Sequence, residues 1–206
     1  MSPRPSLSRR RRENTRARLL EAALDVFAEK GVKRVTVDEL VAAAGFTRGA
    51  FYSNFSSIEE VFFAVFEAQS RRMLETVRAA VDAVPQGEFS LDSLGVILED
   101  LLPFGRTWYI IQSEFTLLAL RSEEARAVFA EHHQLFKHEM EELVADILAR
   151  LDREAVVPLE KLTETAIALY LHSLAHEHLG TGAMDTATLV DVVLPQVLIG
   201  LSRPVA

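Results

Sequence analysis

An all-α fold is what the sequence predicts, with a three-helix head of helix-turn-helix type at the N-terminus and a larger helical body behind it. Three observations carry this. Apolar residues recur at three- and four-residue spacing in almost every segment from Thr15 to Leu201. The interruptions fall at glycine and proline, at Gly31, Gly45, Pro85 to Gly87, Pro103, Pro158 and Gly180 to Gly182. No segment alternates apolar and polar residues with flanking turn signals, so no sheet is expected.

In chain order, residues 1 to about 13 combine prolines and serines with four successive arginines, Arg9 to Arg12, and read as a mobile basic arm. Such an arm lies along phosphates, enters a minor groove, or is only a solvated tail. The first helix runs from near Thr15 to Lys30, with Leu20, Ala23, Leu24, Phe27 and Ala28 inward and Gly31 ending it. Thr36 and Glu39 form a capping box for a helix from Val37, with Leu40, Val41 and Ala44 at helical spacing and Gly45 for the exit. Thr47 caps the next helix. Ser56 with Glu59, or Ser57 with Glu60, opens a long helix reaching about Val84. Helices at 90–102, 104–121, 122–151, 158–179 and 186–201 follow, the last with Pro195 placed to kink it.

The segment from Thr36 to Ser57 has the form of a helix-turn-helix. On its second helix Phe51 and Phe55 face one way, while Arg48, Gly49, Tyr52 and Ser53 face another. That division suits reading DNA, which needs a helix anchored by buried aromatics and slender on its outer face. Gly49 and Ala50 let the backbone approach the duplex. Arg48 offers a bidentate donor to a guanine edge, and Ser53 and Asn54 complete the base-reading set. Thr36, Thr47 and Tyr52 hold phosphates.

The run RARLLEAALDVFAEKGVKRVTVDELVAAAGFTRGAFYSNFSSIEEV, Arg16 to Val61, resembles the DNA-binding domain of the TetR family of bacterial transcriptional repressors. The resemblance rests on LLEAALDVFAEKG, TVDEL and AAGFTRGAFYSNF in that order and covers the first third of the chain. It departs from the family at Ile58, where a lysine that touches phosphate is usual; Ser56, Ser57 and backbone N–H groups are left for that contact. It implies DNA binding by residues 1 to 56 and ligand binding and dimerisation by residues 57 to 206. It also implies a homodimer joined through a four-helix bundle of the last two helices. The surplus of apolar residues at Leu189, Val190, Val193, Leu194, Val197, Leu198 and Leu201 suits that pairing. A dimer reads a pseudo-palindromic double-stranded operator, and a small-molecule effector releases it.

Charge distribution agrees. The net charge is −8, yet residues 1 to 56 hold 11 Lys and Arg against 6 Asp and Glu, and the remainder holds 11 against 24. A basic head on an acidic body fits a DNA-binding module joined to a domain that does not touch DNA. With no cysteine, disulfides and thiolate metal sites are excluded. No export signal and no membrane span are read, so the expected location is the cytoplasm.

By the same resemblance an effector pocket lies among the central helices. Phe104, Trp108 and Phe115 serve as walls, and Gln112, Glu114, His172 and His176 as polar groups, for a largely apolar molecule. Taken singly, each aromatic reads more readily as core. The i, i+4 pairs His172 with His176 and His138 with Glu142 raise the alternative of a metal-responsive regulator, although a third ligand is lacking locally. No nucleophile elbow, phosphate loop or dinucleotide fingerprint occurs, and no cofactor is expected. The remaining rival is an enzyme whose basic head only localises it.

Overall fold

The computed structural model describes residues 7–99, 101–181 and 186–205. Helix α1 spans Leu7–Lys30, beginning well before Thr15. The residues read as an arm are therefore helical from Leu7; the first six lie outside the described residues. The reason is local and tertiary together. Arginine is a strong helix former and no glycine or proline follows Pro5 before Gly31. Arg12 and Arg16 also find backbone acceptors 41 and 38 residues away.

Leu19, Ala23 and Phe27 form the buried stripe of α1. Gly31 then turns the chain at φ +73°, and a short 3₁₀ turn, Val32–Arg34, leads to α2, Val37–Ala44. The capping box forms as its sequence requires: Glu39 N–H donates to Thr36 Oγ1 at 3.3 Å, and Thr36 N–H donates to Glu39 Oε2 at 2.8 Å. Gly45, at φ +70°, ends α2 in a Schellman turn, its N–H donating to Ala42 O while Phe46 N–H donates to Val41 O.

The Glu39 carboxyl lies well below the usual carboxylate range, at about 2, because the Lys30 ammonium, then the Thr36 hydroxyl and backbone N–H, bond its ionised form. A folded pKa below the unfolded one stabilises above the ordinary carboxylate range, and that contribution fades as pH falls towards about 2. The stability gap between wild type and Glu39→Gln, read from urea midpoints, is therefore expected to be open at pH 7 and to close as pH approaches 2. A gap of the same size at both ends would show that the charged cap contributes nothing.

Helix α3, Arg48–Tyr52, follows Thr47, whose Oγ1 accepts from Ala50 N–H at 3.3 Å. Helix α4, Ile58–Ala83, is capped by Ser57 Oγ, which accepts from Glu60 N–H at 3.0 Å, while the Glu60 carboxylate accepts from Ser56 N–H and Oγ. Body helices α5 (Leu91–Glu99), α6 (Leu102–Arg121), α7 (Glu123–Arg150) and α8 (Leu159–Leu179) come next. The last helical stretch is α9 (Thr186–Thr188), a π turn (Leu189–Val193) and α10 (Leu194–Gly200). The π turn meets the demand of Pro195, which lacks an N–H and crowds the carbonyl four residues back; the Leu194 N–H reaches Leu189 O instead.

The expectation of no sheet is corrected by one short antiparallel ladder, β1 (Arg153–Ala155) with β2 (Ser202–Pro204). Side chains make it. Arg153 donates to Ser202 Oγ at 2.7 Å and to the carbonyls of Ile199 and Ser202, and Arg203 pairs with Glu154 directly opposite.

Two hydrophobic clusters organise the helices. The first joins α1, α2, Phe51 and Phe55 to Val61, Phe62, Val65 and Phe66 of α4 and to Ile111, Phe115 and Leu118 of α6. The second takes the later half of α4, from Met73, with Trp108, the second half of α7, α8 and the final helix. Helices α4, α6 and α7 thus run from one cluster into the other, and the head's core extends past residue 56. Arg150 of α7 fastens the far end of α4 by donating to the carbonyls of Val81 and Val84 and pairing with Asp82.

Candidate nucleic-acid interface and central cavity

Phe51 and Phe55 hold α3 from beneath, at 0% and 2% exposure, with ring centres 6.1 Å apart. Thr36, Thr47, Arg48, Gly49, Tyr52 and Ser53 are exposed, and Ala50 and Asn54 are half-buried. These eight residues lie between the cap of α2 and the turn that follows α3. A Cβ on Gly49 would meet nothing closer than 3.8 Å, so glycine is not required there by crowding within the chain.

The polar groups of these residues are not equally available. Arg48 Nε sits 2.7 Å from Asp38 Oδ1, with both side chains about two-thirds exposed. The Thr36 hydroxyl donates to Glu39 Oε2. Ser53 Oγ and Asn54 Nδ2 both donate to Ala50 O, at 2.9 and 2.8 Å, and fold onto the end of α3; Asn54 Oδ1 is buried without a partner.

Sequence reasoning missed the arginines of α1. Arg12 donates to Ser53 O at 2.9 Å, Arg16 to Asn54 O at 3.4 Å, and Arg18 to Ala44 O at 3.4 Å. Arg16 and Arg18 also cover the rings of Phe55 and Phe46. Three cations thus sit at the carbonyl ends of α2 and α3, where the helix dipole favours them. The available signal was the i, i+4 pair Arg12 and Arg16 running into the buried stripe of α1.

In the body, a cavity of about 110 Å³ opens between α4, α5, α6, α7, α8 and the final helix. Trp108, Phe136, Met140, Tyr170 and Leu198 are among its walls, and among the described residues no charged side chain lines it. Of the residues expected there, Trp108 is in place. Phe104 lies half-buried under the Arg72 guanidinium at 4.4 Å, and Gln112 is half-buried outside the wall. Phe115 belongs to the first cluster, with α4 and α7 rings around it. His172 is exposed and stacks edge-on against His176 at 4.2 Å, while His176 meets the Thr181 hydroxyl. Glu114 reaches the head instead, accepting from Val32 N–H at 3.3 Å beside Gly31.

Residues 19–65 match the family model described as bacterial regulatory proteins, tetR family. The chain is 28% identical over 182 residues to the HTH-type transcriptional repressor AcnR of Corynebacterium efficiens, covering 86% of this chain and 91% of that one. It is 26% identical over 160 residues to the HTH-type transcriptional regulator YfiR of Bacillus subtilis, 78% of each. Its first third carries the DNA-binding segment of the tetR family. A solved putative transcriptional regulator from a Rhodococcus species superposes with a TM-score of 0.73 at 17% identity, over 91% of this chain and 96% of that one, and shows the shared all-α fold.

The chain has the helix-turn-helix head of a DNA-binding transcriptional regulator, and the relatives that align along most of its length are named HTH-type transcriptional regulators or repressors, not enzymes. The matched segment runs from Leu19, buried on α1, to Val65 of α4 and holds most of the residues packed around Phe51. Ile58, in the place of the family's lysine, packs half-buried against that core. No helix among the described residues is long and apolar enough to cross a membrane. Among the same residues, no three His, Asp or Glu side chains stand where they could hold a metal ion.

Proposed function

We propose that this regulator is a ligand-responsive repressor that binds a pseudo-palindromic double-stranded operator as a homodimer and is released by a small, largely apolar molecule. Residues 1 to 56 are the DNA-binding part, and residues 57 to 206 bind the effector and dimerise, in the cytoplasm. The observation that carries this reading is α6. Trp108 on this helix walls the cavity, and Glu114, under two turns on, bonds the backbone where α1 ends. A molecule that displaces Trp108 acts on a helix that is also tied to the head.

On DNA, Arg48 exchanges Asp38 for a guanine edge, and Ser53 and Asn54 read bases after turning away from Ala50 O. Thr36, Thr47 and Tyr52 take phosphates, and Gly49 and Ala50 allow close approach. Pairing through α8 and the final helix covers apolar side chains such as Leu179 and Val192, which are 70% and 57% exposed in the single chain. The name of the AcnR relative supports the negative sign of regulation.

The test is binding to a duplex from the gene's own upstream region against a scrambled duplex, across a salt series. The expected outcome is a preference for the native sequence with affinity falling steeply as salt rises. Equal, weak binding to both duplexes, and no enrichment of a palindrome from a random duplex library, would overturn the reading.

A further inference from the structure

Building on the cavity as an effector site, we propose that its occupant is a hydrocarbon about one six-membered ring in size, carrying no hydrogen-bonding or ionised group. The wall carries the inference. It is built by aliphatic side chains such as Leu94 and Ile97, by Met73 and Met140, and by the Trp108 and Phe136 rings, whose centres lie 6.0 Å apart. No polar atom faces the open space. The polar atoms that two of its side chains do carry, Trp108 Nε1 and Tyr170 Oη, are buried out of its reach.

A space of about 110 Å³ is several times what one water molecule needs, yet a bound water also requires polar partners, and this wall offers none. Water is therefore a poor occupant. An engineered cavity of about 150 Å³ with leucine, isoleucine and phenylalanine walls behaves in this way, taking benzene or xenon and not water. A hydroxyl or carbonyl brought into the space would give up its hydrogen bonds to water with nothing in return. A carboxylate or ammonium would lose more, because among the described residues no charged side chain lines the wall. A hydrocarbon gives up no hydrogen bond, removes its own surface from water and gains dispersion contacts with the wall. Size sets the upper bound. The volume is of the order that holds one six-membered ring, and the flexible methionines adjust to its outline.

Trp108 is the sole tryptophan, so its fluorescence in the full chain reports on the cavity directly. The probes are cyclohexane, cyclohexanol and cyclohexanecarboxylate, which share one ring and are transparent where tryptophan absorbs. Cyclohexane is expected to bind saturably and at least about tenfold tighter than cyclohexanol, with no saturable signal from the carboxylate. Ala166→Leu, which fills space at the wall, should abolish cyclohexane binding. Met140→Ala, which enlarges the space, should admit the two-ring hydrocarbon decalin, which the wild type excludes. Cyclohexanol binding as tightly as cyclohexane, tightest binding of the carboxylate, no binding by any probe, or unaltered cyclohexane binding in folded Ala166→Leu overturns the proposal. Adding cyclohexane to the protein–DNA complex separates the two readings: binding without any change in DNA affinity sustains this ligand class and removes its role as an inducer.

Discussion

Replacing Phe115 by alanine is expected to lower the unfolding free energy by about 3 to 5 kcal/mol, the range for removing a fully buried aromatic. The ring is completely enclosed. It stacks on Phe63 with centres 5.0 Å apart and meets Phe66 at 4.8 Å, Phe129 at 5.0 Å and Phe62 at 5.7 Å edge-on. Its partners come from both α4 and α7, so no single side chain can collapse into the space left behind, and several ring contacts are lost at once. Urea unfolding with an unchanged denaturant slope measures the cost. Trp108, seven residues earlier on the same helix, lines the other cluster, so its response to a cavity ligand should survive in the variant under native conditions. A loss below about 1 kcal/mol, well short of the large-to-small range, together with abolished ligand binding would return Phe115 to the cavity wall, where the family resemblance had placed it.

That placement shows how far the sequence is legible. The head was readable because its decisive signals are local. The Thr36–Glu39 box, the Gly45 turn and the Thr47 and Ser57 caps each close within about four residues, and Phe51 on α3 and Phe55, just past its end and not on the helix as expected, are both buried. The body's aromatic stripe was legible as a stripe and not as a site. Trp108 and Phe115 occupy one face of α6, but seven residues separate them by roughly 10 Å along the axis. That distance carries the stripe from one hydrophobic cluster into the other, and no local pattern marks the crossing. His172 and His176 do share a face, as their spacing requires, yet it is the side of α8 away from Tyr170, Ser173 and Leu174, which are buried. The early start of α1 and the β1–β2 ladder were hidden for a related reason. Their anchors, Arg12 on Ser53 and Arg153 on Ser202, span 41 and 49 residues.

The same accounting of partners sets the expected outcome at Arg48. Alanine there should weaken operator binding by about 1 to 3 kcal/mol, roughly 5- to 150-fold, and relax discrimination at one base position, while affinity for random duplex changes much less. Ser53 and Asn54 have already committed donors to Ala50 O, and Asn54 is half-buried. Arg48 is held by Asp38 across an exposed ion pair, a kind of contact worth only about 0 to 1 kcal/mol. Leaving Asp38 for a guanine edge therefore costs little, whereas freeing Asn54 breaks a bond at the end of α3. Asp38→Asn provides the control: it weakens the resting pair without touching the guanidinium, so operator affinity should hold or rise. If Arg48→Ala weakens operator and random duplex equally, Arg48 touches phosphate and not a base, and sequence reading on α3 must then pass to the Asn54 amide, its buried Oδ1 finding on a base edge the partner it lacks in the free protein.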